Sequence, residues 1–147
     1  MVMAPTRSTE LYQRRVRLAR EPSSAAEARG RVRAALQAWQ VPVDPDIAIL
    51  LTSDLVTNAI TYGDGETVTL AIRCSGTHLR IDIYDKSRYL PAGAAEPASA
   101  DGRGLVLVAA LSAEWGSFRT PAGKAMYFTL AFPRDLPLDG DRAAAGD

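Results

Sequence analysis

The chain has 147 residues, 47% of them hydrophobic, which is enough apolar material for the core of one domain of ordinary size. The 17 basic residues balance the 17 acidic ones, so net charge gives no reason to expect nucleic acid or an anionic membrane as a partner. Cys74 and His78 are the only cysteine and histidine, which excludes an intrachain disulfide and a zinc-binding cluster. We expect one domain over residues 10–134, with flexible tails over residues 1–9 and 135–147.

Two features of the sequence bear on where the protein works. The longest apolar run is far shorter than a membrane span, and residues 1–9 lack the apolar core of a signal peptide. We therefore expect a cytoplasmic protein with no membrane partner. Arginine greatly outnumbers lysine and alanine is abundant, a composition typical of bacteria with GC-rich genomes.

The first predicted element is a strand over Glu10 to Leu18, which Glu21-Pro22 ends. Arginines are concentrated around this strand, at positions 14, 15, 17 and 20. They fit either a solvated strand edge and helix face or a basic docking strip for an acidic protein. Next, the spacing of Ser24 and Glu27 predicts a capping box that opens a helix ending at Trp39.

The second helix has clear signals at both ends. Asp44 can cap it, Pro45 suits its first position, and Gly63 is expected to adopt the left-handed conformation after its last turn. Helical periodicity predicts an apolar stripe composed of Ile47, Leu51, Leu55, Ala59 and Tyr62. A second stripe lies beside it and contains Leu50, Asp54, Asn58 and Thr61.

Two hairpins and a short helix follow. Residues 67–74 and 79–84 form the first predicted hairpin, and residues 115–119 and 125–132 form the second, in the same sheet. Between the hairpins, Leu90 to Ala100 is predicted to be a mobile loop, and Gly104 to Leu111 a short helix. The expected fold is an α+β, two-layer sandwich: a mixed, mostly antiparallel sheet with helices on one face.

Three features suggest chemistry. Asp54 and Asn58, four residues apart, project a carboxylate and a carboxamide from one helix face, where the amide oxygen suits Mg²⁺ and the carboxylate suits a general base. The turn at residues 101–104 has two glycines before a helix, as phosphate sites do. Asp85, at a strand end, could accept a hydrogen bond from the adenine amine. Each feature also has an ordinary structural explanation: a helix contact, a loop connection or a turn aspartate.

The order of these motifs carries a family resemblance. The segment D-L-V-T-N-A at 54–59, then Asp85, then D-G-R-G-L at 101–105, and finally Gly123-Lys124 occur in the order and spacing of one family. The chain resembles the small bacterial ATP-binding regulators of the anti-sigma-factor serine/threonine kinase type, which belong to the histidine-kinase-like ATPase superfamily. The resemblance extends roughly from Leu11 to Phe132.

That resemblance implies a histidine-kinase-like ATPase fold, with ATP and Mg²⁺ as cofactors. It implies that Asn58 is the Mg²⁺ ligand, Asp54 the general base and Asp85 the adenine reader, and it places Lys124 in the nucleotide site. Gly102, Arg103, Gly104 and Leu105 would form the phosphate loop, beside a lid formed by residues 90–100. The implied partners are a sigma factor, an anti-sigma-factor antagonist protein, or both, together with a second copy of the chain in a homodimer; no direct contact with nucleic acid is expected.

Some positions depart from the family pattern. Asp54 replaces the usual glutamate, Lys86-Ser87 follows Asp85 where relatives often have glycine, and Ala125 replaces a threonine that helps to hold adenine. Besides the kinase, two other functions therefore stay open. One is a nucleotide-gated module that binds a regulator without phosphotransfer, and the other is an interaction protein that binds no nucleotide.

Overall fold

The computed structural model describes residues 10–88 and 103–133, but not the side chains of Arg103 and Gly104. This part of the chain has an α+β fold, in which three helices pack against a five-stranded open antiparallel sheet. The elements in chain order are β1 (Glu10–Ala19), α1 (Ser24–Trp39), α2 (Pro45–Tyr62), β2 (Thr67–Ser75), β3 (His78–Asp85), α3 (Arg103–Leu111), β4 (Glu114–Thr120) and β5 (Gly123–Ala131). The predicted tails and the predicted lid lie outside the described residues.

The strand order in the sheet is β1-β2-β3-β5-β4, and β1 and β4 are therefore the outer strands. All four neighbouring pairs of these strands are antiparallel, so the prediction of a mixed sheet is not met in the described part of the chain. Both predicted hairpins are present in one sheet, as β2–β3 and β4–β5. The sheet is antiparallel throughout because the chain passes through α3 and β4 after β3 and then returns, so that β5 runs antiparallel to β3.

The sheet has one apolar face, and the core lies between this face and the helices. Alternate residues of the central strands enter the core, namely Val68, Leu70, Ile72, Cys74, Leu79, Ile81, Ile83, Phe128 and Leu130. The helices contribute Val32 and Leu36 from α1, Leu51 and Leu55 from α2, and Val108 from α3. None of the helices in the described part of the chain is long and apolar enough to cross a membrane.

Helix α1 begins differently from the prediction. Its N-cap is Ser23, whose side chain makes no capping bond, and Ser24 is buried within the first turn. The predicted capping box of Ser24 and Glu27 is therefore wrong. The chain already turns before the helix, because the Ser24 N–H donates to Glu21 O and the Ala25 N–H donates to Pro22 O. These backbone bonds satisfy amides that a capping side chain would otherwise bind.

Helix α2 begins as predicted, since the Asp44 side chain accepts a hydrogen bond from the Asp46 N–H and Pro45 occupies the first turn. The predicted apolar stripe enters the core at Leu51, Leu55 and Ala59, but Tyr62 is 52% exposed. Tyr62 lies in the last turn, beyond the last buried residue of the helix. In the second stripe, Leu50 and Thr61 are exposed. Asp54 and Asn58, which lie between them, are half-buried.

Gly63 ends α2, but not in the predicted conformation. Its φ of −83° and ψ of −179° are extended values that any residue can adopt. A glycine is required here for space: a Cβ at this position would lie 2.3 Å from the Ala59 carbonyl oxygen and 3.0 Å from Asp85 Oδ2. The close approach of the helix end to the end of β3 therefore replaces the left-handed cap that we expected.

Candidate functional site

Asp85 and Lys124 form a buried ion pair at the end of β3. Antiparallel pairing places them opposite each other on β3 and β5. The Lys124 Nζ donates to Asp85 Oδ2 at 2.6 Å, and the Ser87 N–H donates to Asp85 Oδ1 at 2.7 Å. Asp85 is 5% exposed and Lys124 is 7% exposed. Each charge is therefore largely removed from water and compensated by the other.

Two glycines allow the backbone to close around Asp85. Gly63 brings the end of α2 against the Asp85 carboxylate, as described above. On the other side, a Cβ on Gly123 would lie 2.2 Å from the Asp85 carbonyl oxygen and 2.6 Å from Lys86 Cα. Two of the predicted nucleotide residues, Asp85 and Lys124, are thus brought together, next to the helix that carries Asp54 and Asn58.

Asp54 is the second polar feature of this region. Its Oδ2 is buried and has no hydrogen-bond partner among the described residues. Burial raises the pKa of the Asp54 carboxyl above its usual value, because removal from water disfavours the charged form. A buried acceptor without a donor costs free energy, so such atoms are rare, and an ordered water, a ligand or a catalytic role accounts for them.

Asn58 lies one helical turn after Asp54 on the same stripe and is half-buried. The structure therefore keeps the predicted pair on one face of α2. The described residues contain no group of three or more histidine, cysteine or acidic side chains that could hold a metal ion by themselves. The Asn58 amide oxygen does suit Mg²⁺ when a ligand such as a triphosphate supplies further oxygens, and the unpartnered Asp54 oxygen one turn away is available as a proton acceptor.

The predicted phosphate loop is described only in part. Gly102 lies outside the described residues, while Arg103 and Gly104 form the start of α3. Leu105 is buried in the core, which makes it an anchor of the helix and not an exposed loop residue. Helix α3 packs against α2, so its N-terminal end belongs to the same layer as Asp54 and Asn58.

A groove of about 280 Å³ lies at the same end of the sheet. Asp85 contributes to its wall, together with Arg15, Thr67, Thr69, Tyr84, Lys86 and the turn at residues 120–122. Strand alternation directs Thr69 and Tyr84 away from the helices, whereas the Asp85 side chain faces them. This groove therefore opens on the face of the sheet opposite Asp54 and Asn58, and we do not assign it to the nucleotide.

Sequence reasoning identified Asp85 and Lys124 separately but missed their pairing, which depends on the register of β3 with β5. It also missed the polar side chains of the second sheet face, including Arg80, Asp82 and Tyr84. The alternation of Arg80-Ile81-Asp82-Ile83-Tyr84 was the signal that could have shown them, because it places these three side chains opposite the isoleucines. Comparison with models of known protein families gives no match, and comparison with curated proteins gives none either.

Proposed function

We propose that this protein is an ATP-binding regulator with a histidine-kinase-like ATPase fold, which transfers a phosphoryl group to a serine or threonine of a protein partner. The observation that carries the proposal is the unpartnered, buried Asp54 Oδ2 on the face of α2 that also bears Asn58. The end of this helix contacts the Asp85 carboxylate through Gly63. The family resemblance described above gives the nucleotide its identity.

Each residue has a role that its chemistry suits. The Asn58 amide oxygen would bind Mg²⁺, and the first N–H groups of α3 would bind phosphate oxygens. Asp85 would accept a hydrogen bond from the adenine amine: a carboxylate has about four lone-pair sites, and Lys124 and Ser87 use two of them. Lys124 would fix the orientation of the Asp85 carboxylate through their ion pair.

Bound Mg²⁺·ATP would supply the phosphoryl group and much of the positive charge that stabilises its transfer. The protein would contribute positioning and a proton acceptor. Asp54 would accept the proton of the serine or threonine hydroxyl as the hydroxyl oxygen bonds to the γ-phosphorus and the bond from that phosphorus to the β-phosphate oxygen breaks, releasing ADP. Its raised pKa suits this step, because a base is most effective when its pKa is nearer the working pH.

The proposed partner is a sigma factor, an anti-sigma-factor antagonist, or both. A second candidate function is a nucleotide-gated module that binds such a regulator without phosphotransfer. The Asp54 side chain is one methylene shorter than the glutamate of the family pattern, which favours this second candidate, because the carboxylate that would act as the base reaches less far.

Thermal unfolding in the presence of nucleotides tests the binding site. A ligand that binds only the native state raises its stability by about 2.7 kcal/mol at a concentration 100 times its Kd. We expect Mg²⁺·ATP and Mg²⁺·ADP to raise the Tm and Mg²⁺·GTP not to raise it. Asn58→Ala should abolish the shift, whereas Thr57→Ala, an exposed neighbour on the same helix, should keep it. No shift with any nucleotide at millimolar concentration would reject the proposal.

Phosphotransfer needs a separate test once binding is shown. Mass spectrometry of a candidate antagonist, incubated with Mg²⁺·ATP and the protein, should detect phosphoserine or phosphothreonine. Asp54→Ala should slow the transfer by about 100-fold, which is within the usual contribution of a general base. Equal rates for both proteins would refute the role of Asp54, and binding without transfer would favour the regulator-binding module.

A further inference from the structure

The second face of the sheet bears a surface of arginine and aromatic side chains. Strand pairing places the following residues side by side on the face opposite the helices: Arg15, Arg17, Arg73, Arg80, Asp82, Tyr84, Phe118 and Tyr127. We call these eight residues the outer surface. In the described part of the chain, the core that the helices share with the sheet contains none of them.

A buried ion pair anchors the outer surface. Arg80 Nε and one terminal nitrogen of Arg80 donate to the two Asp82 carboxylate oxygens at 2.9 and 3.0 Å. Asp82 is completely buried, although no described helix covers it, because Arg80 and its neighbours do so. The guanidinium carbon also lies 4.1 Å from the centre of the Tyr127 ring. The hydrogen bond to Asp82 raises the pKa of Arg80, so this side chain is permanently charged and held in place.

The other arginines of the outer surface have no such partner. Arg15 stacks over the Tyr84 ring at 5.0 Å, and Arg73 makes only a long 3.4 Å contact with the Tyr84 hydroxyl. Arg73 Nε is buried without a hydrogen-bond partner among the described residues. Neither these two arginines nor Arg17 forms an ion pair within the described part of the chain. Their unused N–H donors match the planar, two-oxygen geometry of a carboxylate.

The groove described above lies at one end of this surface. Arg15 and Tyr84 belong to both, and the groove adds the hydroxyl groups of Thr67 and Thr69 and the nearby Lys86. Its volume of about 280 Å³ is large enough for a side chain of a partner. Arg15 and Lys86 are the cations of this lining, and the carboxylate of its acidic member, Asp85, faces the helices and is paired with Lys124, so the groove favours an acidic side chain of a partner.

We propose that the outer surface is a docking site for an acidic segment of another protein, with one acidic side chain in the groove. A second copy of this chain is a poorer occupant, because stacking two such faces would bring unpaired arginines together. A nucleic acid is also a poorer occupant, because guanidinium groups already cover the rings of Tyr84 and Tyr127 on which bases would stack. This inference does not rest on the nucleotide site, which is on the helix face.

Only part of the basic docking strip that the sequence predicted near the N-terminus lies on the outer surface. Arg14 lies over the Trp39 ring of α1, at 5.2 Å, and so belongs to the helix side. Arg20 donates to the carbonyl oxygens of Ile60 and Gly65 at the end of α2. Only Arg15 and Arg17 of the four contribute to the outer surface, and the rest of its charge comes from β2 and β3.

Binding of a fluorescein-labelled, glutamate-rich peptide to the full chain, without nucleotide, tests the proposal by fluorescence anisotropy. We expect binding that weakens as salt increases, and an approximately tenfold increase in Kd for Arg15→Gln/Arg73→Gln. Arg33→Gln is the matched control, because Arg33 is exposed on α1 and its replacement changes the net charge in the same way per site. If the double variant does not fold, Arg17→Gln at an exposed position of β1 provides the same comparison.

Several results would overturn the proposal. Failure of the wild-type chain to bind the peptide would do so, as would equal weakening by Arg33→Gln, which would indicate non-specific attraction. A single-stranded RNA that displaces the peptide at lower concentration would reassign the surface to nucleic acid. Sedimentation that shows a wild-type dimer, dissociated by Arg15→Gln/Arg73→Gln, would reassign it to self-association. Loss of nucleotide binding in the earlier test would leave all of these outcomes unchanged.

Discussion

Asp85 and Lys124 face each other across the β3–β5 pair, and the lysine nitrogen lies 2.6 Å from a carboxylate oxygen in a site that is almost closed to water. A buried pair of this kind gains little over apolar residues of the same size, but the loss of one partner leaves an uncompensated buried charge. The pair therefore links the stability of the fold to the candidate nucleotide site.

Replacement of Lys124 by methionine should destabilise the protein by about 3 to 5 kcal/mol, because Asp85 would remain buried without the opposite charge that compensates it. The double variant Asp85→Asn/Lys124→Met should be less destabilised than the sum of the two single variants. Urea unfolding of all four proteins gives the coupling free energy. Additive effects would show that the two side chains do not interact in solution.

Asp54→Asn should stabilise the protein at neutral pH by about 1 kcal/mol, because it removes the charge of a carboxylate whose Oδ2 is buried and has no hydrogen-bond partner among the described residues. The pKa of Asp54 is raised in the folded state, so its contribution to stability is complete below its ordinary value of 3.8 and is lost as pH rises through the raised value. The difference in the free energy of unfolding between Asp54→Asn and the wild type should therefore decrease at acidic pH. Urea unfolding at neutral and mildly acidic pH measures it, with the exposed Asp64→Asn as control. A variant less stable at both pH values would contradict the prediction.

Gly63→Ala should destabilise the protein by about 1 to 3 kcal/mol, the usual range for overpacking. The added methyl group would overlap the Ala59 carbonyl and press on the Asp85 carboxylate, although the backbone angles themselves suit alanine. Gly76→Ala is the control, because nothing lies within 4 Å of a Cβ at that position. Thermal unfolding of the two variants tests the comparison, and equal Tm values would show that the end of α2 is free to move.

Gly30→Ala should have the opposite effect and stabilise the protein by about 1 kcal/mol. Gly30 is exposed within α1, and a Cβ there would meet nothing within 4 Å. Alanine restricts the unfolded chain and is the better helix former, by about 1 kcal/mol. Circular dichroism during urea unfolding measures the change, and a loss of stability would mean that this part of α1 makes a contact that depends on glycine.

The sequence predicted best the features that depend on neighbouring residues. Asp44 and Pro45 start α2 as expected, since a capping side chain and a proline act within one helical turn. Alternation in β2 and β3 likewise gave the first hairpin and most of its core. The capping box predicted at Ser24 was wrong, because the preceding turn already supplies acceptors for the amides that a capping side chain would bind.

Features that depend on distant residues could not be predicted in this way. Gly63 was correctly placed at the end of α2, but the reason for a glycine is the Asp85 carboxylate on β3. Asp85 was chosen as a strand-end carboxylate, yet its lysine partner is 39 residues further along the chain. Likewise, the unpartnered oxygen of Asp54 became evident only once α2 was packed into the fold.

The position of β1 at one end of the sheet also affects how the protein behaves in a crowded solution. An outer strand offers unpaired backbone groups to any other extended chain, which is how sheets of different molecules join and aggregate. Three arginines, at positions 14, 15 and 17, lie near the middle of this strand, and their backbone partners within the sheet are all on β2. Two copies that joined along β1 would hold these positive charges close together, so Arg15 and Arg17, which suit an acidic partner, also oppose polymerisation of the protein.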